Sequence, residues 1–256
     1  MIRTTHLCLE AGPRCLVDAL DWEAKAGECW AVLGRNGAGK STLLRTLAGL
    51  RLPEQGEVHL GGRLLADWPL EALARERAFL AQSRSDAFAY RVIEAVLTAR
   101  HPYHADRYWD GSDDHRIAMA ALAALDVADL AQRDVRSLSG GERQRVALAA
   151  LLAQQAPLML LDEPATALDL PHQIAAMRLL AALCRDEGRC VVLVGHDLNL
   201  AFSTCSHALL LMGQGRWLAG PVDEVMRPET LSACLGHPID VLHHGGRTVF
   251  VAAESE

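Results

Sequence analysis

An α/β layered fold, with a core built on a mixed sheet and a small helical lobe beside it, is predicted by three observations. Short apolar runs of strand length alternate with helix-length segments along the chain. One such run, Cys29–Leu33, leads into Gly34-Arg35-Asn36-Gly37-Ala38-Gly39-Lys40-Ser41-Thr42 and then a helical segment. Another, Leu158–Leu161, ends in the adjacent acids Asp162 and Glu163, the pattern of a buried parallel strand delivering carboxylates to the C-terminal edge of a sheet. At 256 residues and 50% hydrophobic content, the chain can bury one full-sized core with an appended lobe.

The elements follow in order. In the loop 34–42 the glycines let several N–H groups curl around one anion, Lys40 brings a point charge to terminal phosphates, and the Ser41 hydroxyl suits magnesium. The helix expected over Ser41–Leu50 presents its N-terminus to the same anion. Strand, loop and helix in that order separate a nucleotide site from a glycine-rich turn with a surface lysine. Glu57–Leu60 and Arg63–Leu65 flank Gly61-Gly62 as a hairpin. Ala78–Ala81 reads as a strand ending at Gln82. Residues 84–154 change character: Val92–Ala99, Arg116–Leu125 and the segment after Ser139 are rich in alanine and leucine at helical spacing. The stretch His101–Asp114 between them is polar and aromatic and is expected to be an exposed linker. The core lobe is therefore assigned to 1–83 and 155–256, and the helical lobe to 84–154. Strands return at Leu158–Glu163, Cys190–Gly195 and His207–Met212. Gly213-Gln214-Gly215 turns into Arg216–Leu218, and Val249–Ala252 reads as a last strand. His243-His244, before Gly245-Gly246, reads as a turn and not as a metal site.

The heptapeptide Leu138-Ser139-Gly140-Gly141-Glu142-Arg143-Gln144 starts a helix, with Ser139 and Glu142 at capping-box spacing. Behind a complete phosphate loop it resembles the signature motif of the ATP-binding cassette (ABC) family. The resemblance implies ATP and magnesium as ligands. Asp162 would orient the metal, with Ser41 and Gln82 in its shell, and Glu163 would polarise the attacking water. His196, at the end of the strand Cys190–Gly195, resembles the switch histidine, and Ala167-Leu168-Asp169 resembles the D-loop that crosses to a second subunit. It also implies a head-to-tail dimer, in which Ser139, Gly140 and Gly141 of one copy close on the nucleotide of the other.

One family feature is missing. An aromatic residue before the phosphate loop usually stacks on adenine, but Leu9–Arg14 offers none, and Trp22 and Trp30 lie in strand segments that read as core. Asp86–Val96 and Arg100-His101-Pro102-Tyr103-His104 are similar to the ATPases of importers for cobalamin, iron–siderophores and haem. There an apolar and aromatic patch, here Phe88–Val92, meets the permease. That branch implies uptake of a large metal chelate through a permease, fed by a separate substrate-binding protein, with the ATPase peripheral on the cytoplasmic face of the inner membrane. A net charge of −7 without basic runs argues against nucleic acid as a partner. The seven cysteines lack metal-like spacing and read as core residues of a reducing compartment. The N-terminus lacks a signal-peptide apolar core. No apolar run is long enough to span a bilayer, so membrane work falls to a partner. The competing class, a non-transport ABC ATPase acting on a macromolecular complex, usually carries coiled-coil insertions or paired cassettes, which this sequence lacks. A GTPase or small-molecule kinase does not explain residues 138–144.

Overall fold

The computed structural model describes residues 1–82, 89–104 and 111–253. The chain opens with β1 (Ile2–Ala11) and β2 (Arg14–Ala24), an antiparallel pair whose side chains alternate irregularly between core and solvent. β3 (Cys29–Gly34) buries every residue and runs through the loop 34–39 into α1 (Lys40–Leu47). β4 (Gln55–Leu60) and β5 (Arg63–Leu64) form the hairpin expected around Gly61-Gly62, with β4 paired to β1. α2 (Leu70–Glu76) leads into β6 (Arg77–Leu80). α3 (Val92–Leu97) tightens into a 3₁₀ stretch through Tyr103, followed by α4 (Ser112–Ala124) and α5 (Gly140–Ala153). Then come β7 (Leu158–Asp162), α6 (Leu170–Glu187), β8 (Cys190–Val194), α7 (Leu198–Thr204), β9 (His207–Gly213) and β10 (Arg216–Pro221). α8 (Val222–Val225), α9 (Pro228–Leu235) and a separate hairpin of β11 (Ile239–His244) and β12 (Arg247–Ala252) close the chain. His243 and His244 therefore end a strand, and the turn belongs to Gly245-Gly246.

The main sheet has the order β10-β9-β3-β8-β7-β6. Its pairs are parallel from β9 to β6, and β10 is antiparallel to β9. Both faces of β3 are covered. Cys29, Ala31 and Leu33 join the core under the helices, while Trp30 and Val32 join the core shared with β1, β2 and α1. This is why the segment reads as an unbroken apolar run. α1 is fixed from the same side: Leu43, Leu44 and Leu47 are each fully buried. At about 1.5–3 kcal/mol per leucine, they hold the helix start against the sheet. The parallel order sets the C-terminal ends of β3, β8, β7 and β6 side by side, where open α/β sheets bind ligands.

Residues 105–110 lie outside the described residues. In the rest of the expected linker His101, Tyr103, Gly111, Ser112 and Asp113 are exposed, as expected, and the exception is Asp114, which is buried against Arg100 just before the stretch. The Arg100 guanidinium donates to Asp114 (2.9 Å), to the Ala153 carbonyl (2.9 Å) and to Gln155 (2.9 Å). It also lies 4.0 Å from the centre of the Tyr103 ring. Arg100 and Asp114 are 6% and 8% exposed. A polar stretch looks solvated in sequence, yet opposite charges can be buried once they satisfy each other. No helix among the described residues is long and apolar enough to cross a membrane.

Candidate nucleotide site

The phosphate loop leaves β3 at Gly34, where a side chain is excluded. The backbone has φ +153° there, and a Cβ would stand 2.8 Å from the carbonyl oxygen of Leu211 on the neighbouring β9. Arg35, Asn36 and Gly37 are exposed, Ala38 and Lys40 are buried, and Gly39, Ser41 and Thr42 are half-buried. The Lys40 ammonium folds back over the loop, donating to the carbonyls of Gly34 (2.7 Å) and Arg35 (3.1 Å). Burial lowers its pKa, against the opposing pull of Glu163 and Asp162. The cation is thus held at the loop with its charge incompletely compensated, a suitable partner for a polyanion.

The acids arrive from β7. Asp162 is 1% exposed and accepts a hydrogen bond from the Ser41 hydroxyl (3.2 Å). Burial raises its pKa, and the negative charge of Glu163 adds to the effect. A buried carboxylate and a hydroxyl on adjacent elements form an oxygen donor pair that fits a hard cation such as magnesium. Glu163 turns out of the strand with a left-handed backbone, φ +54°, while its N–H still bonds the Val194 carbonyl of β8 (3.2 Å). Its carboxylate is gripped from both sides. His196 Nε2 donates to one oxygen (2.8 Å) and the Thr166 hydroxyl to the other (3.0 Å). The Gln82 side chain, arriving from the end of β6, bonds the same carboxylate. Burial works against ionisation of Glu163, but these donors prevail and hold its pKa below the ordinary glutamate value. A cavity of about 200 Å³ opens beside Glu163, Thr166, Gln173 and His196.

The structure therefore brings Lys40, Ser41, Gln82, Asp162, Glu163 and His196 to one sheet edge. Ser139, Gly140 and Gly141 lie elsewhere. Ser139 caps α5, accepting from the Glu142 N–H (3.3 Å) while Glu142 accepts from the Ser139 N–H (2.7 Å). A Cβ on Gly141 would stand 3.1 Å from the Ala167 carbonyl. Asp169 caps α6 and bonds His172. Among the described residues, no hydrogen bond or ion pair joins Asp169 or Ser139–Gly141 to the Lys40–Glu163 group. Thr166 escaped the sequence reading; the signal available was its place three residues after Glu163, within reach of the carboxylate across one turn. Trp22 and Trp30 are core, as expected: they are 5% and 4% exposed, in edge-to-face contact, and Trp30 is stacked on His207. Phe88 lies outside the described residues. Tyr90 is half-buried against the helical core and is not a free surface ring. It lines a groove of about 610 Å³ with Glu94, Thr98, Val135 and Leu138.

Residues 17–166 match the protein family described as ABC transporter. The chain belongs to the ABC transporter family. It is the ATPase of that family, and its α/β fold with a mixed sheet is the ABC ATPase fold. Among curated relatives it is 42% identical to the hemin import ATP-binding protein HmuV of Gloeobacter violaceus, over 95% of this chain and 90% of the relative. It is also 42% identical to HmuV of Pseudomonas aeruginosa, over 96% and 97%. Among solved structures it resembles an inward-facing, metal-chelate type ABC transporter, with a TM-score of 0.85 and 30% identity over 99% of this chain and 97% of that one. A dimeric ATP-binding cassette in a post-hydrolysis state, bound to ADP and Pi, gives a TM-score of 0.75 at 26% identity, over 85% and 98%.

Proposed function

We propose that this ABC ATPase powers a membrane importer for a large metal chelate, and that the chelate is haem. The observation that carries the enzymatic part is the convergence of Lys40, Ser41, Asp162, Glu163, Gln82 and His196 at one sheet edge. The choice of haem rests on the hemin import relatives and on the metal-chelate transporter of similar structure.

In this reading Gly34–Thr42 cradle the ATP phosphates, with Lys40 as their main cation. Ser41, Asp162 and Gln82 would hold magnesium, which would supply charge neutralisation on the phosphates. Glu163 is the base: His196, Thr166 and Gln82 orient its carboxylate, and its lowered pKa keeps it ionised at neutral pH, ready to polarise a water. His196 couples that base to the γ-phosphate side of the site. Hydrolysis proceeds by positioning and charge stabilisation. Ser139, Gly140 and Gly141, which make no hydrogen bond to the Lys40–Glu163 group within one chain, complete the site of a second copy, and Asp169 stands at the crossing between the copies. The permease docks at the helical lobe along the groove that Tyr90 lines. This places the chain on the cytoplasmic face of the membrane, with a substrate-binding protein delivering cargo on the other side.

The test is complementation of a deletion strain with haem as the sole iron source. Wild-type chain should restore growth. Glu163→Gln should not, because it binds ATP normally but turns over about 10²–10⁴-fold more slowly, the usual contribution of a general base. Loss of siderophore or cobalamin use in the deletion strain, with haem use intact, would reassign the cargo. Hydrolysis by Glu163→Gln near the wild-type rate would show that another group activates the water.

A further inference from the structure

The β1–β2 turn carries Arg14 to the phosphate loop, and nothing in the mechanism above uses it. The turn is locked in place. Leu16 packs so closely on Gly39 that a Cβ there would stand 2.9 Å from its own. Downstream, the Asp18 N–H bonds the Gly215 carbonyl (2.9 Å), and the Trp217 indole bonds the Asp18 carbonyl (3.0 Å). Arg14 itself is exposed, and its guanidinium nitrogens lie 3.8 and 3.9 Å from where a Cβ on Gly37 would stand. The cation thus leans over the bare middle of the loop whose N–H groups face phosphate.

The lining of the adjoining cavity is one-sided in charge. A cavity of about 520 Å³ is lined by Arg14, Arg35, Arg216, Asn36–Ala38 and the ends of β9 and α9, without an acidic residue and without an aromatic ring. Among the described residues, none of these three guanidinium groups makes a hydrogen bond or ion pair. On a chain of net charge −7, three unpaired arginines around one cavity at a phosphate loop form a local well for an anion. Trp22 and Trp30 cannot serve a purine, because both are buried in the core.

We infer that Arg14 is a nucleotide-binding residue that pairs through its charge with the triphosphate, from outside the loop and opposite Lys40. The inference rests on the nucleotide-site reading above and specifies how this chain holds ATP without a ring at the β1–β2 turn.

The test is titration of the full chain with a non-hydrolysable ATP analogue at low and high salt, comparing Arg14→Ala, Arg14→Lys and Arg14→Gln. Arg14→Ala should weaken binding by about five- to tenfold at low salt and by less at high salt, as expected for a charge-assisted contact near the surface. Arg14→Lys should recover most of the affinity, and Arg14→Gln should bind as poorly as Arg14→Ala. Because Arg14 is exposed, all three should melt like wild type. Wild-type affinity in Arg14→Ala overturns the assignment. So does wild-type affinity in Arg14→Gln, which would show a planar group stacking on the base. Lys40→Ala, run alongside, separates the two readings. If it loses binding and Arg14→Ala does not, the Arg14 assignment alone falls. If neither loses binding, the nucleotide site itself is misplaced.

Discussion

Thr166→Val removes one of the donors that hold the Glu163 carboxylate and keeps the side-chain shape. The bond is 3.0 Å long and joins the exposed Thr166 to a carboxylate whose side chain is 15% exposed, so solvent screens it in part. A hydrogen bond to a charged group contributes about 1.5–3 kcal/mol, and the lower end of that range applies. Losing this donor therefore raises the Glu163 pKa, and His196 and Gln82, which remain, limit the rise. The sign is fixed by direction: Glu163 sits below its ordinary pKa in the folded enzyme, so losing a donor raises it. The acid limb of the pH–kcat profile should move to higher pH. On the plateau, kcat should fall by about three- to tenfold as the base loses its orientation. Phosphate release at saturating ATP, measured across about pH 4–8, reads both effects. Thr166→Ser keeps the hydroxyl and should restore the profile. A Thr166→Val profile that superimposes on wild type, or a Thr166→Ser variant as impaired as Thr166→Val, would refute the positioning role.

Two further outcomes are expected. Asp114→Asn leaves the Arg100 guanidinium buried without its counter-ion, which costs about 3–5 kcal/mol and should lower the melting temperature by about 6–20 °C, while nucleotide affinity in the folded chain is retained. Hydrogen bonds from Arg100 and Gly111 and the neighbouring His104, outweighing burial, hold the Asp114 pKa below its ordinary value. Its contribution is thus fully present above about pH 4 and is lost as pH falls through the lowered value; calorimetric melts of wild type and Asp114→Asn should converge on acidification. Finally, with charge and not a ring holding the nucleotide, GTP should compete with ATP within about one order of magnitude, roughly 1.4 kcal/mol. Strong rejection of GTP in a competition assay would reveal a side chain that reads the base.

What was legible in the sequence follows from how local each signal is. β3, β7 and β8 are continuous apolar runs because both of their faces are covered, and the acids 162–163 follow directly from where β7 stops. Ser139 and Glu142 declare the start of α5 because a capping box is built from residues three apart. The hairpins at Gly61-Gly62 and Gly213–Gly215 carry their own turn chemistry. The order of strands was not legible. That β8 inserts between β3 and β7, bringing His196 to Glu163, is decided by packing across more than a hundred residues. The Arg100–Asp114 pair was hidden for a related reason: each residue looks like a solvated charge until its partner is placed beside it. Thr166 was hidden because a threonine in a loop has many readings, and only the fold of the turn aims its hydroxyl at a carboxylate.

The left-handed backbone at Glu163 has a consequence for how this chain can change. A residue with a side chain is less stable in that conformation than in the right-handed one by roughly 1–2 kcal/mol, and glycine is largely free of the penalty. At Glu163 that strain is held by the side chain itself, because His196, Thr166 and Gln82 all bond its carboxylate. Glycine there would relieve the backbone and lose those bonds at once, so the conformation that aims the proposed base and the donors that hold it stand or fall together. Variants that shorten or neutralise residue 163 should therefore show no large gain in melting temperature, and stabilising substitutions should be found far from the end of β7.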